Sequence, residues 1–80
     1  MNSQTLDYTT RQMWDEEMAH NAKMFFEADR LDAQAYQIIE SYSGDAATWA
    51  RFLEAKKIAD AQRTAAYRDW MRVRRAMRNK

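Results

Sequence analysis

The chain has 80 residues, a formal net charge of +1 and no cysteine. That length allows one domain at most, and without cysteine there are neither disulfides nor thiolate metal sites. Hydrophobic residues make up 46% and charged residues 31%, a folded composition rather than a disordered one, and the small net charge argues against attraction of the whole molecule to polyanions.

A chain this short buries only about 60% of its unfolded surface, so a lone core is marginal and association with another chain is the natural remedy. No apolar run approaches the roughly 20 residues that span a membrane, so no membrane partner is expected. The opening Met1-Asn2-Ser3-Gln4 has no positive region leading into an apolar stretch. No signal peptide is expected, and the cytoplasm is the expected compartment.

There is no proline, and Gly44 is the only glycine. Alanine, methionine, glutamate, arginine and lysine dominate, and these are the best helix formers. Helix one is expected to start near Thr5 or Thr9, where Thr9 and Gln12 have capping-box spacing, and to run to Tyr42. Its apolar stripe is Trp14, Met18, Ala22, Phe25, Ala28, Leu31, Ala35, Ile38 and Tyr42, with the average step of a coiled-coil seam. Gly44 suits the left-handed residue that ends a helix, and Asp45 suits the cap of the next. Helix two is expected from Ala46 to about Arg78, with a stripe through Trp49, Phe52, Ala55, Ala59, Gln62, Ala66, Trp70, Val73 and Met77.

If the chain doubles back at Gly44, facing residue numbers sum to about 88, given equal rise on both arms. Tyr42 then meets Ala46 and Ala35 meets Phe52, large against small as interdigitation requires, while Ala28 meets Ala59 and Met18 meets Trp70. The sequence predicts an all-α fold: a long antiparallel helical hairpin, or two-helix coiled coil, able to complete a bundle by self-association. Its single domain over residues 1–80 divides into helix one at 5–42, a turn at 43–45 and helix two at 46–78. The alternative is a three-helix bundle broken near residues 29–32, where Asp32 would cap a new helix.

The seam leaves apolar residues over. Met24, Phe26, Tyr36, Leu53 and Ile58 widen the apolar arcs beyond what two helices need, and they are the candidate partner-binding residues. A second hairpin or a groove on a larger protein would cover them. The C-terminal end supplies a candidate basic patch, Arg68, Arg72, Arg74, Arg75 and Arg78. Arginine there suits phosphate, but cations also suit a helix C-terminus. The register brings Arg72, Arg74 and Arg75 near Asp15, Glu16 and Glu17 of helix one. Residues 1–45 carry nine acidic and three basic side chains, and residues 46–80 carry three acidic and ten basic ones.

His20 is the sole histidine, and Glu17 with His20 has the Glu-x-x-His spacing of carboxylate-bridged metal bundles; a surface histidine paired with Glu16 explains it more simply. No nucleophile–base pair or glycine-rich phosphate loop is present, so neither enzymatic activity nor a cofactor or metal is expected. The expected function is a protein–protein interaction module: a small helical accessory, inhibitor or assembly component, of the kind bacterial viruses encode, that docks on a larger protein or self-associates. The alternative is a nucleic-acid-binding protein using the basic end. A third reading is a dimeric metal-carboxylate protein built on Glu17 and His20.

Overall fold

The computed structural model describes residues 3–78, with side chains from residue 9 onward. Two helices make up the fold: α1, Ser3–Glu40, and α2, Ala46–Arg78. They pack antiparallel along their length into a rod whose Cα trace extends 69 × 18 × 9 Å. No strand occurs among the described residues.

The turn forms as its residues dictate. The Ser41 and Tyr42 amides donate to the Ile38 and Ile39 carbonyls, closing α1 two residues before the expected Tyr42. Gly44 then takes a φ of 92°, which a side chain would disfavour. Asp45 caps α2, its Oδ2 accepting from the Thr48 amide at 2.8 Å. Hydrogen bonding by Thr48, through its side chain and its amide, draws the Asp45 carboxyl down to about 2. At the other end α1 already includes Thr9, so Thr9 is an interior residue and not a cap.

The alternative break near residues 29–32 does not occur, since α1 runs through it without interruption. Asp32 finds its partners across the seam instead of capping a helix. Lys56 donates to it at 2.7 Å and Arg63 at 3.1 Å. Long-range pairing therefore satisfies the polar stretch that looked like a boundary.

The centre of the seam repeats every seven residues. Asn21, Ala28 and Ala35 are buried on α1, and Ala59, Ala66 and Val73 are buried on α2. A seven-residue repeat is the mark of coiled-coil packing. The cross-helix pairs lie near the predicted register: Asn21 reaches Ala66, Lys56 reaches Asp32, and the Tyr36 ring meets Phe52.

The N-terminal half of the predicted stripe is displaced by one position. Met18 is 42% exposed and Ala22 is exposed as well, while Asn21 holds the central place. A polar residue is tolerated there because its amide is satisfied. Asn21 Nδ2 donates to the Ala66 carbonyl at 2.9 Å and to Asp69 Oδ2 at 3.0 Å. At the loop end Tyr42 and Trp49, expected in the core, are both exposed and pack ring against ring with centroids 5.7 Å apart. Met77, also placed in the seam, is exposed too.

Candidate interaction surface

Small residues at the seam centre decide where the large ones go. With alanine at Ala28, Ala35, Ala59 and Ala66, the bulky side chains sit beside the seam and remain partly open. The contacts define two flanks. On one, Phe25 meets Tyr67 edge-on at 5.1 Å, Tyr36 meets Phe52, and the Lys56 ammonium lies 5.2 Å from the Tyr36 ring centre. Asp32 with Lys56, and Asp29 with Arg63, bridge the helices on this same flank. On the other flank Arg72 pairs with Glu17 at 2.7 Å and with Asp69 at 2.9 Å, and Gln62 donates to the Met24 carbonyl.

Helical periodicity assigns the remaining residues, because a step of seven returns to nearly the same face and a step of one turns about 100°. Leu53 and Tyr67 share a face, as do Trp49, Lys56, Arg63, Trp70 and Met77. Eleven large apolar side chains are exposed among the described residues. Eight of them fall on the aromatic flank: Met18, Phe26, Tyr67, Met71 and Met77 in the distal half, and Tyr36, Trp49 and Leu53 nearer the turn. Tyr42 adjoins them in the turn. Of the eleven, Met13 and Ile58 lie on the opposite side. In the distal half Met18, Ala22, Phe25, Phe26, Tyr67 and Trp70, with the edge of Asn21, line an open groove of about 440 Å³.

The candidate partner-binding residues thus separate. Phe26, 68% exposed, Tyr36 and Leu53 share the aromatic flank. Met24 is half-buried against the seam. Ile58 is exposed on the Arg72 side, two repeats before that arginine. Tyr67, Met18 and Met71 belong to the flank, although the sequence reading did not place them among the partner-binding residues. The signal that could have found Tyr67 and Met18 is the seven-residue repeat, which joins Leu53 to Tyr67 in two steps and Met18 to Phe25 in one.

Between its two apolar stretches the flank carries a band of charge: Asp29 and Asp32 on α1, Lys56 and Arg63 on α2, and Asp60, which contacts Lys56 at 3.7 Å. The hydrogen bond from Lys56 holds the Asp32 carboxyl below its ordinary range, and the same bond raises the Lys56 ammonium.

The basic end divides as well. Arg72 is tied to Glu17 and Asp69, which raises its guanidinium; the Asp69 carboxyl is lowered, first by Arg72 and then by Asn21. Arg68, Arg74, Arg75 and Arg78 are exposed and make no ion pair among the described residues. Arg74 shares the face of Tyr67, seven residues earlier, and Asp15 that of Asp29, so both lie on the aromatic flank, but among the described residues no ion pair joins Arg74 or Arg75 to Asp15, Glu16 or Glu17.

Glu17 and His20 line a shallow depression with Met13 and Glu16, but Arg72 occupies the Glu17 carboxylate. No group of three or more metal-ligating side chains occurs among the described residues. No helix among them is long and apolar enough to cross a membrane.

The fold and surface define the chain as an all-α antiparallel helical hairpin with one aromatic flank and one polar flank. Comparison with protein-family models, with curated proteins and with solved structures finds no match.

Proposed function

We propose that the chain is a non-enzymatic interaction module whose aromatic flank docks against another protein surface. The observation that supports this most is the one-sided distribution of exposed large apolar side chains among the described residues, eight of eleven on a single flank. Scattered exposed apolar residues are ordinary, whereas a contiguous stretch marks a contact surface. Fully burying one large apolar side chain contributes about 1.5–3 kcal/mol. Leaving eight of them half open therefore forgoes about 8 kcal/mol, as much as the whole stability of many small domains. Docking would act by occupancy, filling a groove, blocking a surface or bridging subunits.

The test is stability at high dilution. Tryptophan fluorescence follows urea unfolding of the chain at nanomolar concentration, where association is absent. A marginal hairpin that melts in low urea is expected. A hairpin that stays folded there by more than about 5 kcal/mol would be self-sufficient and would refute the reading.

The four unpaired arginines support a second reading, docking of the C-terminal end on nucleic-acid phosphate. Four phosphate contacts would give a log–log salt slope of about −3.6 on duplex DNA. Changing Arg68, Arg74, Arg75 and Arg78 to glutamine should abolish the binding, and failure of the unaltered chain to bind at low salt removes this reading.

A further inference from the structure

We infer that the aromatic flank takes a second copy of this chain, related by a two-fold axis parallel to the rod, so that both turns lie at one end and α1 of each copy packs on α2 of the other. The inference rests on the proposed interaction role and adds the occupant and its orientation.

Area is the first argument. A large apolar side chain presents roughly 150–250 Å², so eight of them at half exposure offer about 600–1000 Å². A stable dimer buries about 800 Å² from each partner, which the flank alone supplies. The opposite flank, with only Met13 and Ile58 exposed among the large apolar side chains of the described residues, falls well short.

Charge is the second argument, and it selects the orientation. Two face-to-face arrangements of a hairpin have two-fold symmetry. With the axis across the rod, α1 lies on α1, so the Asp29–Asp32 edge meets α1 of the copy near Asp15 while the Lys56–Arg63 edge meets α2 of the copy near Arg74, like charge against like. With the axis along the rod, α1 lies on α2, and the acidic edge of each copy meets the basic edge of the other. The asymmetry extends along the chain, with nine of the twelve acidic residues in residues 1–45 and ten of the thirteen basic residues in residues 46–80. Like charges directly opposed at an interface are costly, and opposite charges fix register. The axis along the rod also brings each apolar stretch onto its counterpart and the charged band onto the charged band. The product is a four-helix bundle with every adjacent pair antiparallel.

The experiment uses the full chain. Sedimentation equilibrium at hundreds of micromolar is expected to give twice the 9.5 kDa chain mass. Phe26→Glu should weaken the dimer about a hundredfold, as a charge placed in an apolar interface does, while Ile58→Glu should leave it unchanged. Orientation is read with Ser43→Cys, since the chain has no cysteine of its own. A short bis-maleimide should link two Cys-bearing turns; in the opposed arrangement the turns would stand apart by most of the 69 Å rod. The crosslink does not depend on how the glutamate variants fold. A monomer at these concentrations overturns the inference, and so does a dimer broken by Ile58→Glu but not by Phe26→Glu. A dimer whose turns fail to link overturns the orientation. A hairpin that is marginal when dilute yet stays monomeric when concentrated overturns the second copy and leaves the interaction role standing. A hairpin fully stable when dilute removes that role.

Discussion

Asn21 holds the one buried polar side chain among the described residues, and replacing it measures how the seam works. In Asn21→Ala two hydrogen bonds disappear, one to the Ala66 carbonyl and one to the Asp69 carboxylate. A neutral bond of this kind contributes about 0.5–1.5 kcal/mol and one to a charged acceptor about 1.5–3 kcal/mol. Asp69 keeps Arg72 as a partner, and Ala66 lies inside α2, where its carbonyl is already engaged by the helix. Neither acceptor is orphaned, so the loss falls toward the lower end, about 2–3 kcal/mol. Higher helix propensity of alanine returns a few tenths. For a domain of this size that is a fall in Tm of about 10–20 °C, at 4–8 °C per kcal/mol. Urea unfolding followed by circular dichroism at fixed concentration reads the change. The cycle with Asp69→Ala should show a coupling above about 0.5 kcal/mol. A Tm within two or three degrees of the parent, or no coupling, would refute the claim that the Asn21 amide bonds hold this part of the seam.

Three further outcomes follow from the same contacts. Gly44→Ala meets no atom within 4 Å but must hold a φ of +92°, so a loss of about 1–2 kcal/mol is expected from the backbone alone, read by thermal melting. Ala59→Leu forces bulk into the fully buried seam centre and should cost about 1–3 kcal/mol in a urea titration, where a surface alanine such as Ala47 should not respond. Asp45 is drawn down to about 2; a depressed carboxyl stabilises the fold above its unfolded value and loses that contribution as pH falls through the folded one. A carboxyl-carbon titration by NMR should therefore show Asp45 charged to near pH 2, and Thr48→Val should move its midpoint back toward the ordinary range. Lys56 runs the other way. Its raised ammonium contributes fully below the unfolded value and loses that contribution as pH rises through the folded one.

The hairpin is legible in the sequence because its determinants are local. A lone glycine, an aspartate just after it and long stretches without a breaker specify two helices and one turn between them. The register is legible because equal rise on two arms leaves little freedom once the turn is fixed. Asn21 was not legible. A stripe drawn through apolar residues steps from Met18 to Ala22 and passes over a polar side chain, and only the facing Ala66 carbonyl and Asp69 reveal why Asn21 can be buried. The same reasoning accounts for residues 29–32, where acidic side chains resembled a boundary until Lys56 and Arg63 were placed opposite them.

The candidate surface was legible in kind but not in place, and the reason lies in the size of the seam residues. Hydrophobic excess shows that two helices cannot hide all their apolar side chains, yet it cannot say which flank they occupy. That is decided by which residue sits at the centre. With Ala28 and Ala35 central on α1, Met24 falls inward, while Tyr36, one step past Ala35, is carried to the aromatic flank. With Ala59 central on α2, Ile58, one step before it, is turned to the polar side, away from Leu53. Had the centre lain one residue earlier on each helix, the flanks would have exchanged several of these members. The alanines therefore do more than admit close packing. By burying little themselves they fix the angle at which the large side chains emerge, and they gather on one flank the apolar surface that the hairpin cannot cover alone.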